Sequence, residues 1–247
     1  MQHKHSFYNM TMKTKFASAF FLFALLITGI RVQADDEVRN VEPFTEISLR
    51  IGAKVHLEQG DKQNLEIVAK ASTLEQIITE VKEGKLIIRF PNKNLFWNDF
   101  RPGEITIHIT VPELKGLAVS GSGDIIADDE IKSKIIDLSV SGSGNINLSE
   151  LTAERVTNTI SGSGNILLAG KSPAQDLSVV ISGSGNFKGK DYSADDVSIK
   201  LSGSGNAGIE ANNNLYIRLV GSGNITYKGK AAVDQSTTGS GSVRRVD

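Results

Sequence analysis

The feature that most limits the fold of this chain is a glycine-rich motif that occurs seven times between Ser120 and the C-terminus. The first copy is Ser-Gly-Ser-Gly-Asp-Ile, and most later copies carry Asn in place of Asp. The first glycines of successive copies are 21, 20, 21, 20, 18 and 18 residues apart. Such spacing is typical of repeat proteins, whose units bury their apolar faces only by stacking on one another. The repeated positions are Gly121, Gly142, Gly162, Gly183, Gly203 and Gly221, and Asp124, Asn145, Asn165, Asn186, Asn206 and Asn224.

The residues around each motif alternate between apolar and polar. Before the second copy, Ile136, Leu138 and Val140 alternate with Asp137 and Ser139. A period of two predicts a β-strand with one apolar face. A second, shorter alternating stretch follows each motif, so each unit has a strand, a glycine corner, a strand and a polar return.

Two all-β architectures can stack such units. In a parallel solenoid each unit is one coil, and equivalent strands of successive coils pair side by side. In an antiparallel barrel or sandwich each unit is a hairpin. Identical corners at near-identical spacing favour the first, because they would lie directly above one another. We therefore predict a parallel β-helix-like solenoid with coils of about 20 residues.

The corner motif predicts a structural role for its residues. Glycine permits the positive φ of a sharp bend, and Asn and Asp tolerate the left-handed region better than most residues. Stacked asparagines can also pass side-chain hydrogen bonds from coil to coil. The serines between the glycines would form a second polar column. Asn158 stands where other units have Leu or Val, which predicts a hydrogen-bonded defect or a shift in register.

The N-terminus has the pattern of a secretory signal peptide. Lys13 and Lys15 precede an apolar run from Phe16 to Ile30, and Ala34 comes immediately before an acidic stretch. We expect residues 1–34 to be removed, leaving no membrane span; a retained anchor is the alternative. The expected location is extracytoplasmic: the periplasm, the outer-membrane surface or the medium.

Composition excludes several classes of site. The chain has no cysteine, which excludes disulfides, thiolate metal sites and lipid attachment at a cysteine. Residues 1–34 hold four of the 27 basic side chains and none of the 28 acidic ones, so the remainder carries a net charge of −5. That charge argues against a nucleic-acid partner. We expect no cofactor.

The region before the repeats is less regular. We predict that residues 35–117 form N-terminal β coils and a cap, continuous in one domain with the repeats at 118–247. The expected strands are Phe44 to Leu57 with a break at Gly52, Leu65 to Val68, Lys85 to Phe90 and Ile105 to Val111, with one helical turn in Thr73 to Val81. Asn92 to Gly103 is expected to be a loop.

These residues carry a family resemblance. The repeated Gly-Ser-Gly-Asn/Asp-Ile corner, together with the lead-in of Lys85 to Ile88, Ile105 to Val111 and Pro112-Glu113-Leu114, resembles the head GIN domain of autotransporter adhesins. The resemblance extends from Phe44 to the C-terminus. It implies a right-handed β-helix-like fold and an envelope or cell-surface location, and it supplies no agreed ligand or catalytic residues.

One loop has the composition of a binding site. Phe96, Trp97, Phe100 and Arg101 belong to residue types that are enriched in binding hot spots, and Trp97 is the chain's single tryptophan. A plug for the open end of the solenoid is the alternative reading.

Catalytic and metal sites have weaker support. Asp124 with Asp128 or Asp129 is the best pair for glycoside hydrolysis, and the acids mostly fall in the polar returns. The corner carries amides where a calcium repeat needs carboxylates. His56 and His108 alternate with apolar residues and should face solvent.

The sequence thus predicts an exported, non-enzymatic binding or structural protein of the cell envelope, an adhesin for a glycan or protein ligand. The alternatives are a periplasmic protein for sensing or envelope assembly, and a polysaccharide-active β-helix enzyme.

Overall fold

The computed structural model describes residues 35–91 and 100–246. The strands are β1 Asp35–Val38, β2 Glu46–Leu49, β3 Lys54–Gln59, β4 Asn64–Ala69, β5 Ile78–Lys82, β6 Lys85–Arg89, β7 Thr106–Val111, β8 Gly116–Gly121, β9 Asp124–Gly142, β10 Asn145–Gly162, β11 Asn165–Ala169, β12 Ala174–Gly183, β13 Asn186–Gly203, β14 Asn206–Gly221, β15 Asn224–Gly229, β16 Ala232–Thr238 and β17 Ser242–Arg245; a single helical turn, α1, spans Ala71–Leu74. Among these residues no helix is long and apolar enough to cross a bilayer.

The repeats form a parallel β-solenoid of about six turns with coils of about 20 residues, as predicted. Equivalent residues of successive coils are direct partners: Gly121 pairs with Gly142, Gly142 with Gly162, and Gly162 with Gly183. We call the strands after each corner the post-corner sheet: β3, β11, β15, β17 and the first halves of β9, β10, β13 and β14. The pre-corner sheet comprises β2, β8, β12, β16 and the second halves of β9, β10, β13 and β14.

The core lies between the two sheets and follows from the period-two pattern. One inward row on the post-corner sheet consists of Ile125, Ile146, Ile166, Phe187, Ala207 and Ile225, all buried. The facing sheet contributes the row Leu138, Asn158, Val179, Ile199 and Ile217. Because each row places like side chains above one another, every coil buries apolar surface that it could not bury alone.

The corner depends on two glycines for different reasons. The first glycine of each corner has φ between +112° and +131°, a region that disfavours any side chain. The second has no room: a Cβ on Gly164 would lie 2.2 Å from the carbonyl oxygen of Gly144 in the preceding coil. The close approach allows Ser163 N and Gly164 N to donate to the Gly142 carbonyl oxygen at 2.8 and 3.0 Å.

The residues after the glycines form the predicted hydrogen-bond ladder. Asn145 Nδ2 donates to Asp124 Oδ1 at 2.6 Å, and Asn165 Nδ2 donates to Asn145 Oδ1 at 2.7 Å. The same bond joins Asn186 to Asn165, Asn206 to Asn186 and Asn224 to Asn206, and the Ser242 hydroxyl donates to Asn224. The proposed left-handed backbone of these residues is wrong, since Glu83 is the one described non-glycine residue with positive φ. The first glycine alone makes the bend, and the amide is used for stacking.

Asn158 is a buried polar interruption in the core. It keeps the register, pairing with Leu138 on one side and Val179 on the other, so the suggested register shift is wrong. Its Nδ2 donates to the Ser178 carbonyl oxygen at 3.2 Å, while Oδ1 has no partner among the described residues. The defect is therefore only half satisfied, which costs stability in an apolar interior.

Tyr192 fills a space left by a glycine in an adjacent coil. A Cβ on Gly170 would lie 3.0 Å from two ring carbons of Tyr192, so the ring packs directly over this backbone. The side chain is fully buried, and its hydroxyl lies near the backbone of Ala153 without a hydrogen bond of good geometry. Burial raises the pKa of Tyr192 to about 12.

The N-terminal strands add coils out of chain order. Strand β2 lies between β6 and β8, and β3 lies between β7 and β9, all in parallel. The coil formed by β2 and β3 is therefore inserted between the later β6–β7 coil and the first repeat. Antiparallel strands β4 and β5 then pair with β7 and β6. The predicted helical turn at Thr73 to Val81 is mostly wrong, because helix ends at Leu74 and Ile78–Lys82 is strand.

The C-terminal coil is polar. In β16, Val233, Gln235 and Thr237 follow the inward row of Leu215, Ile217 and Leu219. Every residue of β16 is exposed, whereas Leu219 is fully buried. A polar final coil therefore covers the apolar end of the stack and leaves a hydrophilic edge.

Valine at the first corner glycine should destabilise the solenoid. In Gly162→Val the side chain would be forced into φ +117° and its Cβ to 2.6 Å from the Gly142 carbonyl oxygen. We expect a loss of about 1–3 kcal/mol from the backbone conformation alone, measured as a lower midpoint of urea unfolding. Ser163→Val, at the neighbouring exposed position, is the matched control and should change the midpoint little. Equal midpoints for the two variants would contradict the corner geometry.

The ladder should tolerate a carboxylate only at its first position. An Asp at position 165 could not donate to Asn145, so two oxygens would face each other where the bond of 2.7 Å now lies. We expect Asn165→Asp to lower the free energy of unfolding by about 1–3 kcal/mol. Asp124→Asn preserves an acceptor for Asn145 and should change the free energy of unfolding by less than about 0.5 kcal/mol. Urea unfolding of the two variants side by side tests the polarity of the ladder, and equal losses would refute it.

Candidate binding surface

The predicted aromatic loop is described only in part. Phe96 and Trp97 lie outside the described residues. Phe100 packs edge-on against Phe90 with ring centroids 5.5 Å apart, and Arg101 is exposed. The Phe100 contact orders the end of the loop next to β6. Partner binding by this loop stays a prediction, and so does the alternative that the loop caps the solenoid.

The corner residues are arranged as scaffold. Asp124 accepts the first hydrogen bond of the ladder, while Asp128 and Asp129 are exposed in the polar return. The serines between the glycines, including Ser143, Ser163 and Ser184, are exposed in one column along the corner. Asp124 thus terminates a hydrogen-bond chain, which gives its carboxylate a structural role.

The two histidines meet on the post-corner sheet. His56 and His108 occupy paired positions of β3 and β7, and their rings stack with centroids 5.3 Å apart and an interplanar angle of 16°. Both face outward, as predicted: His108 is exposed and His56 half-buried. In the described part of the chain, no three His, Asp or Glu side chains are grouped so that they could hold a metal ion.

A second outward-facing group lies on the pre-corner sheet and was missed from the sequence. We call it the Tyr216 face; it consists of Ser198, Lys200, Tyr216, Arg218, Asp234 and Ser236 on three neighbouring strands. Tyr216 is flanked by Ser198 and Asp234 in one row, and Arg218 by Lys200 and Ser236 in the next. Tyr216 is 53% exposed. Among the described residues it is the one aromatic side chain in the group of exposed large hydrophobic residues.

Two like charges meet on this face. Lys200 and Arg218 are direct partners across parallel strands, and like charges in that position destabilise a sheet. Neither forms an ion pair with another described residue. The acid of this face is Asp234, the strand partner of Tyr216, and it forms no ion pair with a described residue. The two cations are therefore placed to donate hydrogen bonds to a ligand.

Three surface depressions meet around Tyr216 and Arg218. They measure about 190, 320 and 410 Å³. The first two share Tyr216, and the first and third share Lys200 and Arg218. The side chains of Tyr216 and Arg218 therefore stand as ridges between hollows whose lining combines aliphatic and charged residues with two serines in each. Such a surface can hold an extended ligand with polar groups along its length.

The sequence does contain the signal for this face. Tyr216 and Arg218 alternate with Leu215, Ile217 and Leu219, which fixes their outward direction. Their closeness to Lys200 and Ser198 depends on the pairing of β13 with β14, which an alternation pattern within one strand does not contain.

Solved structures with this fold come from Bacteroides and Parabacteroides species. The chain is similar to a putative adhesin from Bacteroides fragilis NCTC 9343 (22% identity, TM-score 0.79), a putative lipid binding protein from Parabacteroides distasonis ATCC 8503 (25%, 0.72) and a putative adhesin from Parabacteroides merdae ATCC 43184 (22%, 0.67). Each match covers 87% of this chain and 97% of the other. No match was found among proteins with curated descriptions.

The family model described as "Putative auto-transporter adhesin, head GIN domain" matches residues 43–231, from the strands before the repeats to the turn after β15. This range includes the glycine corners, the Asn ladder and most of the Tyr216 face. The expected resemblance is confirmed, and the chain belongs to the head GIN domain family of autotransporter adhesins.

Proposed function

We propose that this protein is an extracytoplasmic binding protein of the adhesin type that holds a glycan on its Tyr216 face. The observation that carries the proposal is the juxtaposition of an exposed tyrosine with unpaired Lys200 and Arg218 on a rigid sheet. The signal-peptide pattern of residues 1–34 and the family's description support a location outside the cytoplasm.

The chemistry of the face suits a sugar. A tyrosine ring has an apolar face for the C–H groups of a pyranose and a hydroxyl for a hydrogen bond. The Arg218 guanidinium presents five fixed N–H donors, and Asp234 adds carboxylate acceptors. Serine hydroxyls in the same rows both donate and accept. Together these groups match the alternating apolar and hydroxyl surface of a saccharide.

The solenoid holds these groups in place before the ligand arrives. Neighbouring residues within one row lie about 4.8 Å apart, the spacing of paired strands. Tyr216 and Arg218 are two residues apart on β14, and their neighbours Leu215, Ile217 and Leu219 are anchored in the core. Little backbone entropy is therefore lost on binding. A rigid sheet should bind a repetitive polymer more tightly than a flexible loop of the same composition would.

A glycan array with the mature chain tests this function. Tyr216→Ala removes the stacking ring and should weaken binding to the best glycan by about tenfold or more. Tyr216→Phe keeps the ring and should lose less. Arg218→Ala should also weaken binding, whereas Arg244→Ala, an exposed arginine on the post-corner sheet, is the matched control and should not.

Two outcomes would contradict the proposal. One is the lack of any glycan signal above background with correctly folded protein. The other is a glycan signal that Tyr216→Ala and Arg218→Ala leave unchanged, which would move the binding site to another surface, such as the loop that contains Trp97.

A further inference from the structure

We propose that a groove on the post-corner sheet binds the acyl chain of a fatty acid, with the carboxylate held by lysines at one wall. The groove has a volume of about 500 Å³ and crosses four strands, from Leu167 on β11 to Thr226 on β15. It lies on a different sheet from Tyr216, so the proposal does not rest on the glycan function.

The groove exists because one position of an outward row, Gly208, has no side chain. Leu167, Lys188, Gly208 and Thr226 are successive partners in this row. Gly208 has no side chain to cover the backbone, and the inward residue beside it, Ala207, is small where other coils have Ile or Phe. The missing side chain at Gly208 thus opens a hollow in the outward row between Lys188 and Thr226.

The floor and walls differ in chemistry. The apolar residues that line the groove are Leu167, Leu168, Phe187 and Ala207, and the aliphatic stem of Lys188 lies in the same outward row as Leu167. One wall is the Asn ladder, at Asn186, Asn206 and Asn224. Because those amides already bond along the ladder, they bring few unsatisfied groups to the floor of the groove. An apolar chain can lie there without stranding buried polar atoms.

The opposite wall is rich in lysine. The stem of Lys190 crosses the open position: a Cβ on Gly208 would lie 2.9 Å from Lys190 Cε. Lys188 is exposed beside it, and Lys228 Nζ donates to the Lys190 carbonyl oxygen at 3.4 Å. The acids at this wall are Asp191, which lines the groove, and Glu210, the strand partner of Lys228. Three ammonium groups against two carboxylates leave an excess of positive charge in a chain that is otherwise acidic.

Shape and charge together select the ligand. Three strand spacings of about 4.8 Å make the groove about 14 Å long, which suits a single chain of medium length rather than a two-chain lipid. A volume near 500 Å³ is within the range of small-molecule sites. The flexible Lys190 stem can swing off the floor to admit the chain and then place its ammonium group over the carboxylate.

Titration of the mature chain with laurate, below its micelle concentration, tests the proposal by calorimetry. We expect saturable binding of one laurate per chain, weaker binding of dodecanol and none of acetate. Gly208→Leu fills the groove by displacing only the flexible Lys190 stem, and should weaken laurate binding at least tenfold. Asn147→Leu, in the same outward row but outside the groove, is the matched control and should bind as the parent does.

The charged wall has its own variant, which also covers the case in which Gly208→Leu fails to fold. Lys188→Gln combined with Lys190→Gln should abolish the preference for laurate over dodecanol. No saturable laurate binding by the parent chain would overturn the proposal. So would equal laurate affinity in the folded Gly208→Leu variant, or an unchanged preference in the double lysine variant.

Discussion

The stacked glycine corner is the interaction on which the rest of this structure depends. At the five successive corners from Ser143 to Gly223, two backbone N–H groups donate to one glycine carbonyl oxygen of the preceding coil, and the second glycine touches that backbone with no space for a side chain. This contact fixes the register of both sheets. Because side chains alternate with period two, a slip of one residue would turn the apolar rows to solvent. The position of every outward-facing group, including Tyr216, Lys188 and the ladder asparagines, therefore follows from the corner.

Most of the repeat region could be predicted from the sequence because its information is local. The spacing of the glycine motifs predicted the length of each coil, and the alternation of apolar and polar residues predicted the buried rows. The recurring Asn predicted the hydrogen-bond ladder. The order of the N-terminal coils could not be predicted in this way, since β2 and β3 insert between strands that come later in the chain. The Tyr216 face was missed for a related reason: Lys200 and Arg218 are 18 residues apart and meet only through strand pairing. The left-handed backbone expected for Asn was wrong because the first glycine of each corner, three residues earlier, already makes the bend.

The same fold separates stability from recognition. Inward rows and corners are tightly constrained, as the apolar rows and the glycine contacts show, whereas the outward rows of this chain combine charged, hydroxyl and aromatic side chains, such as Lys200, Ser198 and Tyr216. In one stack the outward positions carry a hydroxyl-rich face with Tyr216 and, on the other sheet, a groove opened by Gly208. The outward rows of this fold can therefore differ in chemistry while the corners and the ladder stay the same.

An adhesin function requires that the protein be exposed on the cell surface. Protease treatment of intact cells of the source bacterium, followed by detection of residues 35–247 by antibody or mass spectrometry, is the most direct measurement. We predict that the protein is lost from intact cells while a periplasmic marker is retained, since an adhesin must face the medium. Protection of the chain until the outer membrane is opened would contradict surface display and would assign its binding surfaces to a partner inside the envelope.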